Sequence, residues 1–275
     1  MSDPQGNTRP RVTFPLLRRM KAEQRKIVSV TAYDYTFSRL LDEAGVDILL
    51  VGDSLSMVVQ GHDTTLPVTL EEMIYHTKAV VRGSQRALVI CDMPFGSFQQ
   101  GVEHTLANAI RVMKESGAHG IKLEWCIHAP QVVKTLSEHG IPVVGHVGLT
   151  PQSVHRFGGY RVQGRGEDAA SRILHQSQEL SDAGADLIIL EGIPAPLAHR
   201  ITSTIATPTV GIGAGAGCDG QVLVLYDLLG LYSDFQPRFV KRYLEGASLV
   251  KDAVGNFIRE VQSGDFPAAQ HTFAE

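Results

Sequence analysis

Apolar residues recur along this chain in two alternating rhythms. Runs of mostly consecutive apolar positions fall at 27–34, 47–53, 88–93, 120–125, 142–147, 186–191, 208–213 and 222–226. Continuous rather than alternating hydrophobicity is what parallel strands covered on both faces display. Between the runs the spacing becomes helical: Phe37, Leu40, Leu41 and Ala44; Leu106, Ala109, Ile110 and Met113; Val132, Val133 and Leu136; Ala170, Ile173, Leu174 and Leu180. Gly45, Gly117, Gly140 and Gly184 stand where these helices end, and a β-rich run follows each. Eight strand–helix units predict an α/β protein, a (β/α)8 TIM barrel in one domain. An open doubly wound sheet is the alternative. The last unit is cramped, because only Ala214–Gln221 separates the seventh and eighth strands and leaves no room for a crossover helix. Residues 1–12 read as a frayed N-terminus and 13–275 as the catalytic barrel. Phe14–Lys26 would be an extra helix closing the barrel bottom, and Phe239–Val261 the C-terminal helix.

Acids repeat at one end of the strands. The first, second, third, fourth and sixth runs stop at or just before Asp34, Asp53, Asp92, Glu124 and Glu191, and Asp227 follows the eighth. Strand interiors avoid Asp and Glu, so these side chains serve something other than strand formation. If the strands are parallel, the acids share one face. Mg²⁺ takes octahedral oxygen ligands and few carboxylates, a demand that Asp53, Asp92 and Glu124 meet. Lys122 and Glu124 are two apart on a strand and point to one side, where an ammonium would neutralise charge developing on a substrate oxygen; a plain salt bridge is the other reading. Glu191 ends Ile188-Ile-Leu-Glu, so loss of hydration should make it the more basic acid. Asp34 is read as a helix cap. His146 is read either as a substrate hydrogen-bonding group or as a satisfied core histidine.

Composition narrows the function. A net charge of −4 gives no basic footprint for nucleic acid. No apolar run approaches a membrane span of about 18 residues, and the first residues lack the apolar stretch of a signal peptide. Cys91, Cys126 and Cys218 form no CxxC pair, which suits a reducing compartment and packed thiols. Gly215, Gly217 and Gly220 match the letters of a dinucleotide loop but come too late in the chain to open one. Ser54 lacks a nucleophile-elbow context. The loops at Ser54–Thr69 and Val147–Glu167 are long enough to carry function.

From about Val28 to Phe273 the chain resembles the ketopantoate hydroxymethyltransferase family. The resemblance rests on Thr31–Tyr35 (TAYDY), Val51–Ser54 (VGDS), Gln60–Thr69 (QGHDTTLPVT), Gly145–Ser153 (GHVGLTPQS), Phe157–Gly166 (FGGYRVQGRG) and Gly211–Gly215 (GIGAG). It implies a cytoplasmic barrel enzyme, a homo-oligomer of decamer type, in pantothenate and coenzyme A biosynthesis. The implied reaction transfers a hydroxymethyl group from 5,10-methylenetetrahydrofolate to 3-methyl-2-oxobutanoate, giving 2-dehydropantoate. It further implies Mg²⁺ held by Asp53, Asp92 and Glu124, substrate contacts from Asp53, Ser54, Asp92 and Lys122, and Glu191 as proton acceptor. Trp125 and Cys126 stand where the family usually has Gly-Gly, a departure that bears on the pocket wall. A Mg²⁺-dependent lyase or aldolase of the phosphoenolpyruvate/isocitrate-lyase-like barrels, and a non-catalytic 2-oxo-acid sensor, are the rival readings.

Overall fold

The computed structural model describes residues 10–232 and 237–273. Its eight strands are β1 (Ile27–Thr31), β2 (Ile48–Val51), β3 (Leu88–Asp92), β4 (Gly120–Glu124), β5 (Val143–Gly148), β6 (Leu187–Glu191), β7 (Thr209–Ile212) and β8 (Gly220–Leu223). They pair in sequence order, all parallel, and β8 closes on β1. The closed barrel is the architecture the periodicity predicts. The chain forms two compact units, Met1–Val224 and Leu225–Glu275, and all eight strands belong to the first.

The helices of the first unit are α1 (Phe14–Ala22), α2 (Tyr35–Ala44), α3 (Leu55–Val58), α4 (Leu70–Gly83), α5 (Val102–Ser116), α6 (Ala129–Glu138), α7 (Val154–Phe157), α8 (Glu167–Asp182) and α9 (Ala195–Thr204). The second unit holds α10 (Leu225–Leu228) and α11 (Gly246–Ser263). Thr69 and Glu72 cap α4 reciprocally. Gly45 and Gly117 end α2 and α5 in left-handed backbone, which glycine adopts without a Cβ penalty. Asp34 caps α2 by accepting from the Phe37 N–H at 2.9 Å, as expected of it.

Helix α1 plugs the N-terminal end of the barrel. Phe14, Leu17 and Met20 pack in one core with Ile27, Ile48, Leu88, Leu187, Val210 and Val222. Of the segment read as frayed, residues 1–9 lie outside the described residues; Val12 is buried and donates its N–H to the Arg86 carbonyl at 2.8 Å.

Several boundaries differ from expectation: β1 stops at Thr31 rather than 34, leaving Asp34 beyond the strand as the cap of α2, and α1 ends at Ala22 rather than Lys26. Strand β8 runs Gly220–Leu223 rather than 222–226, which puts Asp227 inside α10 and removes it from the strand-end acids. Pairing decides this: Gly220 sits opposite both Ile27 and Val210, and a Cβ there would collide with the Ile27 carbonyl. The C-terminal helix begins at Gly246, not Phe239. No helix of the described residues is long and apolar enough to cross a membrane.

Candidate active site

Strand alternation carries the inner face from apolar to charged. Leu88, Ile90 and Asp92 share one side of β3; Lys122 and Glu124 one side of β4; Val144 and His146 one side of β5; Leu187, Ile189 and Glu191 one side of β6. The lower members join the core above α1. The upper ones, Asp92, Lys122, Glu124, His146 and Glu191, line a cavity of about 130 Å³ at the C-terminal mouth. Asp53 and Ser54, just past β2, reach the same cavity, so all six residues expected at the site meet there. Barrel enzymes build their sites on this face.

Register sets the contacts. Asp92 pairs with Lys122 across β3 and β4, and the Lys122 Nζ donates to Asp92 Oδ2 at 2.6 Å. The Asp53 N–H points at the same oxygen from 3.4 Å, whereas Asp92 Oδ1 is buried without a hydrogen-bond partner. Glu124 pairs with His146. The imidazole stands between two acids, Nδ1 3.9 Å from Glu124 and Nε2 3.3 Å from Glu191, though neither nitrogen attains hydrogen-bond geometry. Ser54 Oγ lies 2.9 Å from the Tyr33 hydroxyl.

Gln152 ties the acids together, and nothing about a lone glutamine in the sequence marked it. Its side-chain amide donates to Asp53 Oδ2 at 2.9 Å and to the Met93 carbonyl at 3.0 Å. Its backbone N–H faces both Glu124 oxygens at 3.2–3.3 Å, and its side-chain Oε1 accepts from the Gln99 side-chain amide at 3.1 Å. Gln152→Ala would leave these buried groups short of partners. We expect a loss of about 1–3 kcal/mol, read by urea unfolding; an unchanged midpoint would reduce Gln152 to a bystander.

Burial governs the electrostatics. It pushes Asp92 up, to about 7, against the pull of Lys122. It also raises Glu124 well above the usual carboxylate range, with the Asp53 charge adding to it. Burial alone would lower Lys122, but Asp92, Asp53 and Glu124 outweigh it and keep the ammonium charged. His146 is held neutral by burial and then by Lys122. Glu191 is set apart by solvent: its side chain is 17% exposed against 3% for Glu124. The desolvation expected of it is therefore partial, because β6 ends at the cavity rather than within the core.

Gly148 fixes the height of Glu191. It pairs with Glu191 across β5 and β6 at φ +97°, and a Cβ there would run into the Glu191 carbonyl oxygen. Gly148→Ala should cost roughly 1–3 kcal/mol from backbone strain alone, with a lowered melting temperature as the readout. Unchanged stability would mean that β5 and β6 shift freely.

The profile of the ketopantoate hydroxymethyltransferase family matches residues 11–269. The chain belongs to this family. The 3-methyl-2-oxobutanoate hydroxymethyltransferase of Magnetococcus marinus is 59% identical over 96% of this chain and 98% of its own. That of Syntrophus aciditrophicus is 52% identical over 96% and 97%. Among solved structures, 2,3-dimethylmalate lyase, of the PEP mutase/isocitrate lyase superfamily, superposes with a TM-score of 0.61 at 18% identity, over 91% of this chain and 89% of its own. Phosphonopyruvate hydrolase, solved with oxalate and Mg²⁺, gives 0.60 at 12%, over 94% and 93%. At such identities the likeness is one of fold.

Within the family frame, other features resolve. The glycine-rich 213–219 joins β7 directly to β8, so no helix N-terminus follows it to hold a dinucleotide. Burial pushes Cys91 up to about 12 and raises Cys126 and Cys218 as well, which fits packed thiols. Among the described residues, no three His, Cys, Asp or Glu side chains are grouped as they stand to hold a metal ion. Lys122 and Gln152 fill the places beside Asp92 and Asp53.

Proposed function

We propose that the chain transfers a hydroxymethyl group from 5,10-methylenetetrahydrofolate to 3-methyl-2-oxobutanoate, with Mg²⁺, giving 2-dehydropantoate. The observation that carries this is one cavity presenting buried acids and an ammonium on one side and a half-wet carboxylate, Glu191, on the other. Its wall also includes the apolar Leu50, Met57, Ile189, Ile212 and Val222, which suit a small branched 2-oxo acid.

The donor set fits a hard divalent cation. Asp53, Asp92 and Glu124 offer oxygen only, and Asp92 Oδ1 is an orphaned buried acceptor. Rotation of Lys122 and Gln152 away from Asp92 and Asp53 would open the oxygens to an ion. When bound, the cation supplies Lewis acidity to the substrate's ketone oxygen. The chain's own residues do the rest. Lys122, once turned from Asp92, places a positive charge where the enolate oxygen gains negative charge. Glu191 takes the C3 proton, and neutral His146 beside it limits where its carboxylate can swing. Ser54, which lines the cavity with its hydroxyl 2.9 Å from that of buried Tyr33, would meet the substrate carboxylate. Carbon C3 then attacks the one-carbon unit of the carrier, opened to its iminium form; water supplies the hydroxyl oxygen as the remaining carbon–nitrogen bond breaks, and tetrahydrofolate leaves.

Product formation is the test. Enzyme, Mg²⁺, 3-methyl-2-oxobutanoate and 5,10-methylenetetrahydrofolate should yield 2-dehydropantoate by proton NMR. C3 exchange in D₂O without folate-dependent product would favour a lyase, and binding without exchange a sensor. Relatives of the transferase name at 48–59% identity favour the transferase. We further propose a cytoplasmic homo-oligomer of decamer type. Helix α11 supports assembly, since Val250, Val254, Phe257, Ile258 and Val261 form a half-exposed apolar stripe at helical spacing.

A further inference from the structure

Trp125 is the chain's only tryptophan. With Arg156, Phe157, Arg172 and Gln176 it lines a second cavity, of about 340 Å³. Small-molecule sites occupy about 300–1,000 Å³. Residues lining this cavity are chain neighbours of residues lining the catalytic one. Trp125 directly follows Glu124, Thr150 lines one cavity and Pro151 the other. The Gln163 N–H, on the second cavity's edge, donates to the carbonyl of Gly192, the residue after Glu191.

Its charge is one-sided. No Asp or Glu lines it. Arg156 and Arg172 are exposed, and among the described residues neither forms an ion pair, unlike Arg86, Arg111 and Arg200. Two uncompensated guanidiniums beside an indole, in a chain of net charge −4, form a local attractor for a planar anion. The 2-oxo acid is too small to need it and already has a site.

We propose that this cavity binds the one-carbon carrier, a planar reduced pteridine with an anionic glutamyl tail. The rings lie against Trp125 and Phe157, and the tail carboxylates pair with Arg156 and Arg172. This rests on the transferase reading, and the test separates the two. A lone tryptophan makes intrinsic fluorescence a reporter of this cavity alone. Tetrahydrofolate, as mono- and triglutamate, is titrated with correction against a free tryptophan derivative. We expect saturable quenching, tighter for the triglutamate, and weakened about tenfold or more in R156A/R172A. In turnover that variant's KM for 5,10-methylenetetrahydrofolate should rise by a similar factor, while its KM for the 2-oxo acid stays within about twofold. Both arginines are exposed, so an unchanged melting temperature verifies that the variant folds. Quenching without any turnover in the unmodified protein would sink the transferase reading and leave the cavity assignment standing. Turnover without quenching, or quenching and KM untouched by the double substitution, would overturn the cavity assignment.

Discussion

Glu191→Gln is expected to slow exchange of the C3 proton of 3-methyl-2-oxobutanoate in D₂O by about 10²-fold or more, with substrate affinity little changed. The amide keeps the shape of the carboxylate and its place beside His146 but cannot accept a proton. Glu191 is the acid at the mouth whose side chain keeps partial contact with water, and its backbone is locked by Gly148 across the ladder. The other acids face Lys122 or Gln152. Loss of exchange should therefore be confined to the chemical step: kcat falls and KM for the oxo acid stays. Exchange at the normal rate would move the base to another group, and His146, 3.3 Å away, would be the first to try.

Lys122→Met should be the most damaging change to the resting protein. The lysine and Asp92 are both buried, 5% and 2% exposed, and 2.6 Å apart. Removing one partner of such a pair costs about 3–5 kcal/mol, because the other charge stays buried without compensation. The pH dependence has a definite sign. Burial holds Asp92 up at about 7, above its value in the unfolded chain, so the folded state binds the extra proton. Stability from this group is complete below the unfolded carboxyl value, near 4, and is lost as pH rises through about 7. Without the ammonium the loss should deepen. Melting temperatures of Lys122→Met should drop more steeply than the parent's between pH 5 and 8. Millimolar Mg²⁺ should recover part of the drop at pH 8, and EDTA should abolish the recovery. A variant as stable as the parent, with no response to pH or Mg²⁺, would remove Lys122 and Asp92 from any charge-compensating role.

The barrel was legible because both covering layers leave their mark on sequence: unbroken apolar strands and striped helices, four of them followed by a glycine in left-handed backbone. The strand-end acids were legible for the related reason that Asp92, Glu124 and Glu191 violate strand preference at the phase that points inward. What stayed hidden depends on neighbours far along the chain. The start of β8 at Gly220 follows from the crowding of Ile27, 193 positions away by number, not from local propensity. Gln152 reaches Asp53, 99 residues back, from a turn whose length alone hinted at function. The partial wetness of Glu191 is equally non-local, since flanking Ile and Leu speak for burial while the cavity beside it lets water in.

A crystal structure with Mn²⁺ in place of Mg²⁺ and with 3-methyl-2-oxobutanoate, phased at the manganese edge, bears most directly on the metal and base assignments. The expected result is one anomalous peak bound by Asp53, Asp92 and Glu124, with Lys122 turned toward the ketone oxygen and Glu191 facing C3. An ion held elsewhere, or a substrate whose C3 faces away from Glu191, would contradict the shared role of these acids.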